Sequence, residues 1–269
     1  MTLVTTERRG ATELIIYANP PFGTMTAAGS NEMLDAVEAA VNDPAVRAIV
    51  ITGGLHGIFI RHYDVGELSA ASDRMEGAAT PPPAAPTPAA GDRPRGFLAL
   101  TDLIAAADKP VIAAINGLCM GGGFELSLAC DIRIAGRDVE AIGLPETRVG
   151  IFPGGGGTQR LPRVIGEARA VEMILRGRTV TGREAHEIGM VHEASDAPLA
   201  RALEIAAEFE SRPPEGVAYA KRLTRAALDR PLAEGLVDER RSFGEVMRTT
   251  SAREALRAAR APVQIQDVE

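Results

Sequence analysis

The chain of 269 residues carries 29 basic and 36 acidic side chains, a net charge of −7, and is 45% hydrophobic and 24% charged. That length suits one large α/β domain or a domain with an extension, and the composition excludes a disordered chain, a collagen-like repeat and a highly charged tail protein. With acid in excess and no dense Lys/Arg cluster, neither nucleic acid nor an anionic membrane is an expected partner.

In chain order, Met1 to Gly10 has charges but no apolar segment of a leader, and no apolar run approaches about 18 residues, so the reading is a soluble cytoplasmic protein. Glu13 to Ala18 and the near-continuous apolar run Ala45 to Thr52 read as strands, the second apolar enough to be covered on both faces. Between them Met33, Leu34, Val37, Ala40 and Val41 recur at helical spacing after Ser30, a candidate N-cap, and Asp43-Pro44 stops the helix. The result is a β-α-β unit. The pattern continues with a helix near Gly96 to Ala107, a strand at Pro110 to Ile115, a helix opening at Gly121 to Gly123 and a strand at Asp131 to Ala135.

From about Gly166 only helices are expected: 168–176, 182–188, 198–209, 216–228, 231–247 and 252–259. In the helix at Pro231, Leu232, Leu236, Phe243 and Val246 form an apolar stripe, which fits either a capping or oligomer-forming layer or simple packing on the core. Residues 77–94 hold six of the eighteen prolines and no large apolar side chain, and read as an extended surface loop, an insertion or a lid.

Chemistry concentrates at Asn116-Gly117-Leu118-Cys119-Met120-Gly121-Gly122-Gly123-Phe124-Glu125-Leu126. Three glycines fall where a strand turns into a helix, so unpaired N–H groups and close backbone approach suit a developing negative charge. Glu125, three residues past Gly122, shares its helical face. The glycines lack the spacing of a dinucleotide or nucleoside triphosphate loop, as does the run Gly154 to Gly157 before Thr158-Gln159-Arg160; both read as sites of tight backbone approach. No G-x-S-x-G, H-E-x-x-H or C-x-x-C occurs, and Cys119 and Cys130 read as buried small hydrophobes. A second acid, Glu146, follows Gly143-Leu144-Pro145.

As an ordered set, Pro110 to Gly117, Gly121 to Leu126, Cys130-Asp131, Pro145-Glu146 and Pro153 to Leu161 resemble the enoyl-CoA hydratase/isomerase (crotonase) superfamily. The resemblance implies an α/β fold of repeated ββα units wound into a right-handed spiral (1–195, with the surface loop 77–94), then a helical C-terminal trimerisation region (196–269). It implies a homotrimer or a dimer of trimers, an acyl-CoA thioester as partner and substrate, and no cofactor, since coenzyme A is part of that substrate. Two backbone N–H groups, those of Tyr63 and Gly122, would form the oxyanion hole for the thioester enolate. With both glutamates present, the implied activity is hydration of a trans-2-enoyl-CoA in fatty acid metabolism, Glu125 activating water and Glu146 protonating Cα. Other outcomes on the same scaffold are double-bond isomerisation, carbon–carbon cleavage, or an acyl-CoA or RNA-binding homologue without turnover.

The segment Phe59-Ile60-Arg61-His62-Tyr63-Asp64-Val65 departs from its relatives, which carry glycine where His62 stands. A glycine-type backbone angle would strain a histidine, so the local turn is expected to differ. Arg61, Tyr63, Asp64, Val65 and Gly122 are the candidate substrate-binding residues; Arg61 either meets a coenzyme A phosphate or is solvated, His62 has a structural role, and Asp64 and Asp131 hydrogen-bond backbone. His56, His186 and His192 default to surface or turn positions, and no metal site is expected.

Overall fold

Strand β2 (Thr12–Tyr17) runs parallel to β3 (Ala48–Gly53), with Leu14 opposite Val50 and Ile16 opposite Thr52, and helix α1 (Ala27–Asn42) crosses between them. This computed structural model describes residues 2–76 and 95–260, so the expected loop 77–94 lies outside the described residues. The stripe Met33, Leu34, Val37 and Ala40 is buried, as its spacing requires. The N-cap is Thr26 and not Ser30: Thr26 Oγ1 accepts the Gly29 N–H at 3.0 Å. Ser30 lies one turn inside, buried, its hydroxyl donating to Thr26 O at 2.8 Å, an arrangement a helical serine adopts readily.

Every residue of β3 is buried. Ile49 and Ile51 pack with Met33, Val37, Leu100 and Ile104 on one face, while Ala48 and Val50 pack with Ala202 and Ile205 on the other. A strand covered twice must be apolar at both parities, which is why it reads as one continuous run. Strand β5 (Val111–Ile115) is shared in the same way, Val111, Ala113 and Ile115 facing one cluster and Ile112 and Ala114 the other.

These strands belong to a six-stranded sheet in the order β1-β2-β3-β5-β7-β10, with β1 at Val4–Arg9, β7 at Ile132–Gly136 and β10 at Glu193–Ser195. All its pairs are parallel except β1 with β2. A second sheet runs β4 (Ile58–Ile60), β6 (Leu118–Met120), β8 (Ile142–Gly143), β9 (Thr179–Val180). The chain alternates between sheets, β3 to β4, β5 to β6 and β7 to β8, and each step is followed by helix: α2 (Val65–Met75) and α3 (Phe97–Ala106), then α4 (Gly122–Ala129), then a 3₁₀ turn (Glu146–Val149) and α5 (Gly157–Ile165). Each ββα unit therefore advances one place in both sheets, the spiral that the resemblance implies.

The sequence reading of helices alone after about Gly166 is corrected: the C-terminal third also holds strands. Helices α6 (Glu167–Arg176), α7 (Gly182–Glu187), α8 (Pro198–Ala207), α9 (Pro214–Ala226), α10 (Leu232–Val246) and α11 (Thr250–Ala259) are present, but β9 and β10 intervene. Two or three residues are too few to show a period of two. Helix α8 covers the second face of the large sheet through Ala202, Ile205 and Ala206. Helix α9 is pinned to the core by Lys221, whose Nζ meets Asp131 at 2.8 Å and the carbonyls of Ile104 and Lys109, and by Arg225, which pairs with Asp131 at 2.9 Å. Asp131 also accepts the Val111 N–H at 2.8 Å, so it ties β5, β7 and α9 together.

Candidate active site

Strand β6 ends at Met120, and Gly121, with a left-handed φ of 49°, turns the chain into α4. Gly122 opens the helix, so its N–H is one of the donors the helix itself leaves unpaired. A Cβ on the next residue, Gly123, would collide with the Ile60 carbonyl, which is how closely α4 rides over β4. Glu125 follows in the first turn, 4% exposed, and its Oε1 accepts the N–H groups of Gly155 at 2.7 Å and Gly157 at 2.8 Å. Burial pushes this carboxyl up from its ordinary value; the two amides and the nearby Arg160 charge pull it down.

Glu146 opens the 3₁₀ turn after β8, and its carboxyl lies against Gly121: a Cβ there would stand 3.4 Å from Glu146 Oε1. Burial, with the charge of Glu125 adding, raises its pKa to about 7 against its own backbone N–H. Its Oε2 is buried with no hydrogen-bond partner among the described residues. Two carboxyls of identical chemistry thus meet in different surroundings, one bonded by amides and one unsatisfied.

The segment 59–65 crosses above them. Met25 N–H donates to His62 O at 2.8 Å and Asp64 N–H to Met25 O at 2.7 Å, a parallel bridge that leaves the Tyr63 N–H on the opposite side. That side faces α4, where a Cβ on Gly122 would lie 3.3 Å from Tyr63 N. Neither the Tyr63 nor the Gly122 amide meets a protein acceptor among the described residues. His62 does not adopt the glycine angle that would strain it: no described residue other than glycine has a positive φ, so the segment makes its turn another way. The imidazole of His62 instead forms wall, with Nδ1 2.7 Å from Tyr63 O.

A cavity of about 490 Å³ brings together Tyr63, Gly122, Glu125, Glu146 and Val65. Leu68, Leu98, Val149, Ile151 and Phe152 make the rest of its wall apolar, and the exposed Arg148 stands among them. Arg61 and Asp64 do not line it. The Asp64 carboxylate caps α2, accepting the Glu67 N–H and the Thr24 hydroxyl, each at 3.0 Å. Arg61 knits the backbone, N–H to Gly23 O and O to Met120 N–H, while its Nε is buried without a partner.

Four contributors to the site escaped the sequence reading. Phe97 packs edge-on against Tyr63 with ring centroids 5.7 Å apart and fills the space beside Gly155. Gly155 and Gly157, read only as tight backbone, are the amide donors to Glu125; the run of four glycines was the available signal. Arg160 bonds Gly155 O at 2.9 Å. His56 and His186 are exposed, His192 accepts the Arg133 N–H, and both cysteines are buried and free. Among the described residues no helix is long and apolar enough to cross a membrane, and no cluster of side chains could hold a metal ion.

A family profile described as enoyl-CoA hydratase/isomerase matches residues 8–262. The chain is 46% identical over 159 residues to YngF of Bacillus subtilis (strain 168), covering 58% of this chain and 60% of that protein. It is 36% identical over 229 residues to the mitochondrial methylglutaconyl-CoA hydratase of Rattus norvegicus, covering 83% and 68%. The matched stretches thus span about two thirds or less of the length of these relatives. Among solved structures, an enoyl-CoA hydratase from Bacillus anthracis superposes with a TM-score of 0.82 at 29% identity, covering 96% of this chain and 95% of that one. The profile covers nearly the whole sequence and the spiral is shared at that level of likeness, so the chain belongs to the enoyl-CoA hydratase/isomerase family.

Proposed function

We propose that this protein is a hydro-lyase that adds water syn to a trans-2-enoyl-CoA, giving a 3-hydroxyacyl-CoA. One observation carries the reading: two buried carboxyls in unlike environments and two free amides converge on a single apolar cavity. As water attacks Cβ, charge builds on the thioester oxygen, where the Tyr63 and Gly122 N–H groups receive it; each such donor is worth roughly 2.7 to 4 kcal/mol of barrier. Met25 N–H on His62 O polarises the peptide whose N–H is that of Tyr63 and strengthens the donor.

Glu125 is the water-activating carboxylate. Its Oε1 is occupied by two amides, which leaves Oε2 for the water. Glu146, with a pKa of about 7, holds a proton for much of the time at neutrality and delivers it to Cα. Glu125 gains a proton and Glu146 loses one, so exchange with solvent resets the pair after each turnover. The names of the relatives, methylglutaconyl-CoA hydratase and enoyl-CoA hydratase, support the same reaction class.

The reading extends to assembly. Leu232, Val237 and Phe243 on α10 are 77%, 65% and 64% exposed, an apolar face that suits burial against further copies in a trimer or a pair of trimers. The deciding experiment mixes purified protein with a short trans-2-enoyl-CoA, following the ultraviolet absorbance of the conjugated thioester and the product. Loss of absorbance with a 3-hydroxyacyl product is expected. A shifted double bond without hydration, or tight acyl-CoA binding with unchanged absorbance, overturns the hydratase reading in favour of isomerase or binding module.

A further inference from the structure

Arg160 lies in the first turn of α5, three residues past Gly157. Its Nη1 donates to Gly155 O at 2.9 Å, and its Nη2 approaches Asp102 of α3 at 3.5 Å. Gly156, between the two amide donors to Glu125, has a left-handed φ of 105°, and a Cβ there would collide with the Arg160 guanidinium. The guanidinium therefore occupies the space that Gly156 leaves. Gly155 is gripped from both ends: its N–H is given to Glu125 Oε1 at 2.7 Å and its carbonyl is held by Arg160.

We infer that Arg160 is a positioning residue which, by clamping the Gly154 to Gly157 turn, makes Glu125 and not Glu146 the water-activating carboxylate. The inference rests on the hydratase reading for its consequence, and on geometry alone for the clamp. Two amides converging on Oε1 stabilise the charged form of Glu125 and point Oε2 at the cavity. Their convergence depends on the turn being held at one conformation, and four consecutive glycines do not hold it themselves. Arg160 supplies the missing constraint and a positive charge behind the carboxylate. Glu146 has neither an amide pair nor a cation, and its Oε2 is unpartnered.

The other charged or titratable groups facing this pair are Asp102 on α3, Cys130 after α4, Arg225 on α9 and Glu146. Asp102 is largely exposed, its side chain 78% open to solvent, so at 3.5 Å it offsets little of the guanidinium charge.

The test compares Arg160→Gln and Arg160→Lys with the wild-type chain. For Arg160→Gln, kcat should fall roughly 10- to 100-fold with KM changed less than about threefold, the pattern of a group that acts on the reaction and not on binding. The acid limb of the kcat profile should move up by about half to one pH unit, because a carboxylate that loses its cation and its aligned amides ionises later. Arg160→Lys, which keeps the charge but not the forked reach, should recover the limb more than the rate. A residue that merely supported the fold would lower the melting temperature and leave the limb in place, and that outcome overturns the inference. Should Arg160→Gln melt early, Arg160→Lys alone carries the comparison. Infrared titration of the Glu125 carboxyl, taken as a difference against Glu125→Gln, needs no turnover: an unshifted titration in both Arg160 variants sinks the clamp even if the protein hydrates no enoyl-CoA, and a shifted one supports it.

Discussion

The imidazole Nδ1 of His62 lies 2.7 Å from the carbonyl oxygen of Tyr63. A carbonyl can only accept, so Nδ1 carries hydrogen, and in the neutral ring Nε2 is left as an acceptor. The residue is thereby tied down beside the Tyr63 and Gly122 amides and acts as wall. Because its backbone avoids the left-handed region, His62→Gly should not restore a better turn. It should instead cost about 1 to 2 kcal/mol, from the hydrogen bond and the freer unfolded chain. The kcat for hydration should stay within about threefold while KM changes as the wall recedes. Denaturant melts and steady-state kinetics check this, and a kcat loss of 100-fold would make the ring a proton carrier.

Tyr63 separates a backbone role from a side-chain role. Its phenol is pushed up to about 12, chiefly by burial, and serves as packing against Phe97. Tyr63→Phe should therefore leave hydration within about threefold. Tyr63→Pro removes the N–H, which the bridge to Met25 does not use, together with the ring that packs on Phe97; set against Tyr63→Ala, which loses the ring alone, it should cost a further factor on the order of 10² to 10³ in kcat. Comparable losses in Tyr63→Pro and Tyr63→Ala would mean that the amide is not the donor.

Glu146 makes activity and stability depend on pH in the same direction. As the acid at Cα it must be protonated, so kcat should fall as pH rises through about 7. Its folded pKa lies above the ordinary 4.5, so the folded state binds the extra proton between those values and loses stability as pH rises across that window. The size is on the order of 1 to 2 kcal/mol, the full shift being discounted because the group is partly solvated. Glu146→Gln should lower kcat by about 10² to 10⁴ and be more stable relative to wild type at pH 8 than at pH 5. Glu125, also raised, leaves a residual slope of the same sign. Urea melts at the two pH values measure it, and an identical difference at both would contradict the protonated resting state.

How legible these features were in the sequence follows from what each residue must satisfy. Strands β3 and β5 announce themselves because both faces are covered, and α1 because its stripe meets one face. Strand β1 does not: at the sheet edge all but Val4 face solvent, so Thr5 to Arg9 read as a polar terminus. The second sheet was invisible because its strands are two or three residues long. At the site, Glu125 and Glu146 were legible because each follows a glycine or proline turn that only a special backbone needs. What distinguishes them was not, since the amides that hold Glu125 come from residues 30 and 32 positions away. Phe97 was hidden for another reason: an aromatic in a helical stripe looks like core, and only the cavity shows that it stands beside Tyr63 in the wall.

Helix α10 carries its apolar side chains outward. Leu232, Val237 and Phe243 are exposed, while the buried positions are Asp238 and Ser242, the former held by Arg222, Arg230 and Arg241. The helix, whose stripe fitted either an oligomer-forming layer or packing on the core, is therefore anchored from behind by charge and left free in front. Phe243→Asp should abolish self-association, since losing a buried aromatic costs about 1.5 to 3 kcal/mol per copy before the charge is counted. The chain itself should still fold, because α9 is fastened to the core through Lys221, Arg225 and Asp131, none of which the change touches. Sedimentation velocity should show the wild type as a multiple of the chain and the variant as a single copy with an unchanged circular dichroism spectrum. A wild type that sediments as one copy would mean that this face meets something other than itself.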